Sequence, residues 1–239
     1  MAMGRLLPRR NVRRATSALS TPATTMTVNV TEVNDAPVFT AGTTFVQSYA
    51  ENGSGAVSVD VTVTDADLTD SATYTLSGGA DQARFAITSG GVLTFQASPN
   101  FEAPTDADGN NTYVVDITVA DGRGGTDVIT VTVTVTNLNE APVLSVGATE
   151  SVSVGDGVTA VMDLNATDAE GDSLTFTKSG VDAGDFALDA ATGVLTFDPA
   201  PSHVSPQDAD TNNVYLVTVT VSDGNATDTV DLTVTVTAP

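Results

Sequence analysis

Acidic side chains that could bind a cation recur in short motifs along this sequence. Asp and Glu number 30 against 8 Lys and Arg, which gives a formal net charge of −22. The acids gather at the expected ends of β-strands and in one short segment between two similar halves of the chain. Carboxylates that converge within several ångströms repel each other unless a cation lies between them. The acids and amides at these places are Glu51, Asp65, Asp67, Glu102, Asp121, Asn137, Asn139, Glu140, Asp156, Asp168, Glu170 and Asp223.

Calcium is the cation that this donor set suits best. It takes about six to eight oxygen ligands from carboxylates, amide side chains and backbone carbonyls. The chain has no cysteine and one histidine, His203, so the ligands that zinc and copper prefer are missing. The same negative charge excludes nucleic acid as a partner, because the phosphate backbone would be repelled.

The composition also argues against an enzyme. We find no nucleophile beside a base, no phosphate-binding loop and no isolated carboxylate pair in an apolar setting, and predict no catalytic activity. No apolar run approaches the roughly twenty residues of a membrane helix. Residues 1–25 are basic and rich in Ser and Thr, but lack the apolar stretch of a secretion signal. We expect a disordered basic segment there; a transit peptide of similar composition is the alternative.

The sequence contains an internal repeat, and the acids occur at corresponding places in its two copies. VNDAPVF at 33–39 returns as LNEAPVL at 138–144, and the stretch from Pro104 to Gly122 returns at 206–224. Because the matches keep their order, we predict two copies of one domain, residues 38–137 and 143–239. Residues 138–142 form a calcium-binding linker between them.

A third partial copy precedes the first. TTMTVNVTEVNDAP at 24–37 matches ITVTVTVTNLNEAP at 129–142, which is the end of copy one. We therefore interpret residues 26–37 as the last strand and linker of a preceding repeat, and the chain as a segment of a longer array.

Each copy has the pattern of an all-β domain. Residues 130–136 alternate strictly, with Val131, Val133 and Val135 on one face and threonines on the other, as in a half-buried strand. Short strands of this kind are separated by Gly, Asp, Asn and Pro. About seven strands per copy indicate a Greek-key β-sandwich of immunoglobulin-like type.

Such a sandwich places alternate turns at opposite ends. Glu51 and Glu102 are then expected at the far end of copy one, and Asp168 with Asp223 at the near end of copy two. The linker passes between them, so the sequence predicts a calcium site at the junction.

These motifs, in this order and present twice, resemble the cadherin repeat family in its bacterial cadherin-like branch, over residues 26–239. In that family, calcium ions at each junction are held by an early Glu, a D-R-E-like motif, the linker, and a D-x-D motif with a later Asp. The motifs that carry the resemblance are AEN (50–52), DAD (65–67), NFE (100–102), ADG (120–122) and NLNEAPV (137–143). The resemblance implies as junction ligands Glu51, Asn100, Glu102, Asn137, Asn139, Glu140, Asp168, Glu170 and Asp223.

Departures from the family pattern imply fewer or weaker ions. Thr136 and Asn100 stand where the family has acids, and Leu138 stands where it has the middle asparagine of the linker. In copy two, His203 and Val204 replace Phe101 and Glu102, so we expect no tight site at its far end. The N-terminal junction has only its lower half, with room for one ion, formed by Asn34, Asp35, Asp65, Asp67 and Asp121.

The loops DADGNN (106–111) and DADTNN (208–213) have two interpretations. Their oxygen side chains at alternate positions resemble the start of a calcium loop. A polar hairpin turn with Asx capping explains them equally well.

Two functions remain open from the sequence. The first is a calcium-stiffened adhesin or spacer array, extracellular on a bacterial cell surface, whose partners are neighbouring repeats. A homophilic or host-surface partner is implied by the family association only. The second is an accessory module of a larger secreted enzyme that binds a glycan or another partner. It is disfavoured because the chain has no Trp and only 4 Tyr to form aromatic platforms.

Overall fold

The computed structural model describes residues 27–31, 33–67 and 71–239. The segment 1–25, predicted to be disordered, lies outside the described residues. The chain divides into two units, Met1–Val33 and Asn34–Pro239, and the second unit contains both repeats. Within the described residues, no helix has the length and apolar character needed to cross a membrane.

Within residues 38–67 and 71–137, repeat 1 has nine strands. Their order along the chain is interrupted by a single 3₁₀ turn between β5 and β6. The strands are β1 (Val38–Phe39), β2 (Thr44–Ala50), β3 (Ala56–Val57), β4 (Val63–Thr64), β5 (Thr73–Gly78), β6 (Phe85–Ile87), β7 (Leu93–Phe95), β8 (Thr112–Ala120) and β9 (Thr126–Thr136).

Repeat 2 has the same nine elements in the same order, again with one 3₁₀ turn. They are β10 (Val143–Leu144), β11 (Thr149–Gly155), β12 (Ala160–Asp163), β13 (Ala166–Thr167), β14 (Thr175–Ser179), β15 (Phe186–Leu188), β16 (Val194–Phe197), β17 (Val214–Ser222) and β18 (Thr227–Thr237).

Seven strands of each repeat form the two main sheets of a sandwich. In repeat 1 the order is β2-β9-β8-β5 in one sheet and β3-β7-β6 in the other, with β1 and β4 as a short extra pair. Repeat 2 repeats this arrangement as β11-β18-β17-β14, β12-β16-β15 and β10-β13. The prediction of two tandem all-β sandwiches with about seven strands each is confirmed.

Alternating valines form the core, as the sequence predicted. Val131 and Val133 of β9 are fully buried, while the threonines between them are only partly buried. Their partners across the ladder to β8 are Val115 and Tyr113, also buried. Phe85 packs from the opposite sheet into the same core, so one apolar layer joins the two sheets.

The pairing of β2 with β9 determines where the metal-binding candidate Glu51 lies. β2 runs parallel to β9, with Ala50 opposite Thr136, so both strands end at the same edge of the sheet. The Glu51 amide extends this ladder by donating to the Thr136 carbonyl oxygen at 3.1 Å. Glu51 therefore lies where β9 runs into the linker. β11 and β18 pair in parallel in the same way in repeat 2.

Residues 27–31 and 33–37 form no strand, unlike the sequence-based interpretation of 26–37. A strand requires partners in a sheet, and no described residue pairs with this segment in a ladder. Its assignment to a preceding repeat stays a prediction.

Candidate metal centre

Four glutamates meet at the junction of the two repeats. Glu51 follows β2, Glu102 lies in the loop before β8, Glu140 lies in the linker, and Glu170 follows β13. One carboxylate oxygen from each lies within 4.8 Å of every other. Repeat 1, the linker and repeat 2 thus each contribute an acid, and we refer to Glu51, Glu102, Glu140 and Glu170 as the glutamate cluster.

Glu51 holds the linker against repeat 1. Its side chain is 2% exposed. One carboxylate oxygen accepts the Leu138 amide at 2.7 Å, and the other accepts the Phe101 amide at 2.7 Å. These two bonds fix the linker and the loop that carries Glu102 relative to each other. Each oxygen keeps a second lone pair with which it could bind a cation.

Several other carboxylate oxygens at the junction are buried without a hydrogen-bond partner. A buried acceptor left unsatisfied costs about 1–3 kcal/mol, and more when it is charged. A cation would satisfy all of them together. The five oxygens are Glu102 Oε2, Glu140 Oε2, Asp168 Oδ2, Glu170 Oε1 and Glu170 Oε2.

Two of these crowded acids, Glu140 and Glu102, have raised pKa values. The pKa of Glu140 is raised to about 7, first by the close approach of the Glu170 carboxylate, then by burial and by the charges of Glu51, Glu170 and Glu102. The pKa of Glu102 is also raised, mainly by burial and further by Glu51 and Glu170. No basic side chain is among the causes of either shift, so neither carboxylate is paired with a positive charge from the described residues.

Asp223 and Asn139 form a second contact between the linker and repeat 2. The Asn139 side-chain amide donates to Asp223 Oδ2 at 2.9 Å, and Asn225 donates to Asn139 Oδ1 at 2.9 Å. The amides of Asn225 and Ala226 donate to Asp223 Oδ1, both at 2.6 Å. These bonds, the Ala226 amide first, lower the pKa of Asp223.

The remaining junction candidates lie around the glutamate cluster. The Asn137 side-chain amide donates to Glu102 at 3.3 Å, and Asp168 Oδ1 accepts the Asp172 amide at 3.0 Å. Asn100 Oδ1 accepts the Ala103 amide at 2.6 Å, within its own loop. The structure thus gathers the four glutamates most closely, with Asn137 hydrogen-bonded to one of them. Metal ligation by these residues stays a prediction.

Two residues at the junction were missing from the sequence-based candidates. Asn52 donates from its side-chain amide to Glu140, and Asn225 donates to Asn139. Asn52 is the last residue of the AEN motif and Asn225 directly follows the Asp223-Gly224 turn, so closeness in sequence to predicted acids was the signal that could have identified them.

The predicted lower half-site at the N-terminal junction is also assembled. Asn34 donates from its side-chain amide to Asp121 Oδ2 at 2.7 Å. The amide of Asp35 donates to Asp67, and the amide of Asp67 donates to Asp65. Asn34 Oδ1 is buried without a hydrogen-bond partner, the one such atom in this group. The pKa of Asp121 is lowered, first by the Asn34 side chain.

The far end of repeat 2 keeps the counterpart of the Glu51 hydrogen bond to the loop, but it has no acid in the place of Glu102. Asp156 accepts the His203 amide at 2.7 Å, as Glu51 accepts that of Phe101. Val204, in the place of Glu102, is 87% exposed. Among the described residues, the glutamate cluster is the one group of three or more acids or histidines with ligand atoms close enough to share a metal ion.

The DADGNN and DADTNN loops are held by their own turns. In the first loop, Asp106 accepts the amides of Asn110 and Asn111. Asp81, which is buried, clamps the loop by accepting the amides of Ala107 and Val114 at 2.7 and 2.8 Å. Repeat 2 has the same contacts through Asp208 and Asp182. This favours the turn interpretation; Asp81 and Asp182 were not predicted, although each precedes the F-A-I/L motif of its repeat.

Comparisons with known proteins agree with two tandem repeats. Residues 34–134 and 139–237 each match the family model described as Bacterial Ig domain. The protocadherin-like wing polarity protein stan of Drosophila melanogaster is 26% identical over 234 residues, which cover 90% of this chain and 6% of that protein.

Solved cadherin structures are also similar to the chain. The human desmocollin-1 ectodomain is 22% identical, with 86% of this chain and 41% of that chain covered and a TM-score of 0.49. Mouse cadherin-23 EC22-24 is 22% identical, with 85% and 65% covered and a TM-score of 0.49.

The chain spans a small part of its curated relative, and the matches are to Ig and cadherin domains rather than to enzymes. The family model covers most of both repeats, each with the sheet order described above. The chain therefore belongs to the bacterial Ig domain family and contains two tandem copies of that domain.

Proposed function

We propose that this chain is a calcium-binding cadherin-like segment of a bacterial surface or secreted adhesin, which calcium stiffens into a rod for cell adhesion. The observation that carries the proposal is the set of five buried carboxylate oxygens without hydrogen-bond partners at the junction. They come from repeat 1, the linker and repeat 2, so one cation site would involve both repeats and the segment that joins them.

The donor set fits calcium. Glu51 and Glu102 from repeat 1, Glu140 from the linker, and Asp168 with Glu170 from repeat 2 offer carboxylate oxygens only. Calcium is a hard cation that accepts many oxygen ligands in irregular geometry, whereas Mg²⁺ demands a near-ideal octahedron. Crowded carboxylates with raised pKa values are a high-energy arrangement that a divalent cation relieves.

Calcium makes the rigidity of the junction conditional. When calcium is bound, ligands from both repeats share it, and bending at the linker would break metal–oxygen contacts. Without calcium, the glutamates repel each other across the junction. Because amides or hydroxyls replace expected acids at Asn100 and Thr136, we expect a dissociation constant on the order of 10⁻⁴ to 10⁻³ M, as in extracellular modules.

The proposed location and partners follow from this mechanism. Calcium concentrations outside the cell match such an affinity, so the repeats would act in the extracellular space on a bacterial surface. Modules that touch only their neighbours form a quasi-linear array, and the first partners are adjacent repeats. A homophilic or host-surface contact would then occur along that array.

Calorimetric titration of the full chain with calcium tests the proposal, with magnesium as the competing ion. We expect calcium to bind with the affinity above and magnesium to bind more weakly. Glu140→Gln should weaken calcium binding, because it removes the acid of the linker. If calcium binds no more tightly than magnesium, or if Glu140→Gln leaves the titration unchanged, the proposed centre is wrong.

A further inference from the structure

Repeat 1 contains a cavity of about 350 Å³ that the glutamate cluster does not use. It lies where the end of β7 meets the loop leading to β8. Its size falls in the range of small-ligand sites, about 300–1,000 Å³. Its walls combine the apolar surfaces of Phe95 and Pro99 with the polar side chains of Arg84, Gln96 and Asn100.

Arg84 is the unusual residue of this cavity. After residue 26 the chain has three basic residues, Arg84, Arg123 and Lys178. Lys178 donates to the Ala183 carbonyl oxygen at 2.5 Å, and Arg123 is also engaged. Among residues 27–31, 33–67 and 71–239, no carboxylate forms an ion pair with the exposed Arg84 guanidinium. The Arg84 guanidinium, which has no carboxylate partner in the described part of the chain, is available to a carboxylate from outside.

The neighbouring amides are fixed and retain bonding capacity. Gln96 donates from Nε2 to the Phe85 carbonyl oxygen at 2.9 Å, and Asn100 accepts the Ala103 amide through Oδ1 at 2.6 Å. Gln96 Oε1 and Asn100 Nδ2 are then an acceptor and a donor among the residues that line the same cavity as Arg84. Such a pair suits the hydroxyl groups of a ligand whose carboxylate is bound by Arg84.

The aligned place in repeat 2 has the opposite charge. Asp185 stands in the place of Arg84 and Asp198 in the place of Gln96. Burial raises the pKa of Asp185, and the charges of Asp182 and Asp208 raise it further. An anion would be repelled there. The two repeats share a fold, so the fold does not require arginine at this position.

We propose that the cavity of repeat 1 binds a small carboxylate through Arg84, either as a free acid or as the carboxylate of an acidic sugar. The planar guanidinium forms two parallel hydrogen bonds with the carboxylate, and the carbon skeleton packs on Phe95. The acid next to this site is Asp81, whose backbone carbonyl accepts the Arg84 amide at 2.8 Å. Its carboxylate is occupied by the amides of Ala107 and Val114, and acids beyond about 8 Å are screened at physiological ionic strength. The site does not depend on calcium at the junction.

Ligand-observed saturation-transfer NMR on the full chain, at about 0.15 M salt, tests this proposal. The probes are glucuronate, acetate and neutral glucose. We expect glucuronate to bind and glucose not to bind. Arg84→Gln should weaken glucuronate binding about tenfold or more, because charge-assisted hydrogen bonds are lost. Arg123→Gln removes an arginine at the other end of the repeat and should leave binding unchanged.

A second variant tests the same site without replacing Arg84. Gln96→Glu places a carboxylate beside the guanidinium and should also abolish binding. Acetate that binds as tightly as glucuronate would support a free acid as the source, and glucuronate alone would support an acidic sugar. Equal binding of glucose, unchanged binding by Arg84→Gln, or no binding of either carboxylate would overturn the proposal. Measurements in chelator should give the same result, which separates this site from the glutamate cluster.

Discussion

Replacing Glu102 by glutamine should stabilise the fold in chelator and reduce the stability that calcium adds. Glu102 contributes to the glutamate cluster and has a buried oxygen without a partner. In chelator, glutamine removes one charge that lies within 4.8 Å of three other carboxylates. Even in a water-like dielectric this relief is on the order of 1 kcal/mol. The variant without calcium should therefore be more stable than the wild type.

Calcium should then cancel most of this gain in stability. A ligand that binds only the folded state stabilises it by RT ln(1 + [L]/Kd). At about 10 mM calcium and the expected dissociation constant, the wild type gains about 1.4–2.7 kcal/mol. Loss of a carboxylate ligand should weaken binding about tenfold, which leaves the variant a gain of about 0.4–1.4 kcal/mol.

Thermal melting of both proteins across a calcium titration is the assay. One kcal/mol corresponds to about 4–8 °C for a domain of this size, so both effects are measurable. Glu150→Gln is the matched control, because Glu150 lies on β11 and outside the cluster. It should leave the calcium-induced shift unchanged. A variant of Glu102 that kept the full calcium shift, or that was no more stable than wild type in chelator, would refute this reasoning.

Three further outcomes are expected. The pKa of Glu140 is about 7 in the folded chain, against an ordinary value of 4.5. Its contribution to the stability of the metal-free fold is therefore fully present below about pH 4.5 and is lost as the pH rises through 7. Melting from pH 4.5 to 8 in chelator should show this decline in stability, and calcium affinity should rise over the same range. Val204→Glu should change the calcium-induced shift little, since no facing acids are present; a large gain in the same melting assay would contradict the requirement for both repeats. Asp81→Ala should cost about 2–4 kcal/mol by leaving the amides of Ala107 and Val114 unpaired, without reducing calcium binding in the calorimeter; a large loss of bound calcium would show that this loop holds an ion.

Periodicity made the strands and their buried faces predictable. Val131, Val133 and Val135 alternate with threonines, and a period of two is the direct consequence of strand geometry. Strand direction could not be predicted in this way, because alternation is the same for parallel and antiparallel pairs. The parallel pairing of β2 with β9, which brings Glu51 to the linker, was therefore missed.

The acids of the site were predictable, but their amide partners were not. All four residues of the glutamate cluster were candidates from the order of the motifs. Asn52 and Asn225 were not, because their role depends on which carboxylate the folded chain places beside them. Asp81 was missed for the same reason, since its partners come from a loop distant in sequence.

The central claim is that calcium stiffens the junction between the repeats. Small-angle scattering of the full chain, with calcium and with chelator, measures this most directly. The account predicts a larger maximum dimension and the scattering profile of a rod in calcium, and a shorter, bent ensemble in chelator. An unchanged maximum dimension, with calcium shown to be bound by calorimetry, would contradict it.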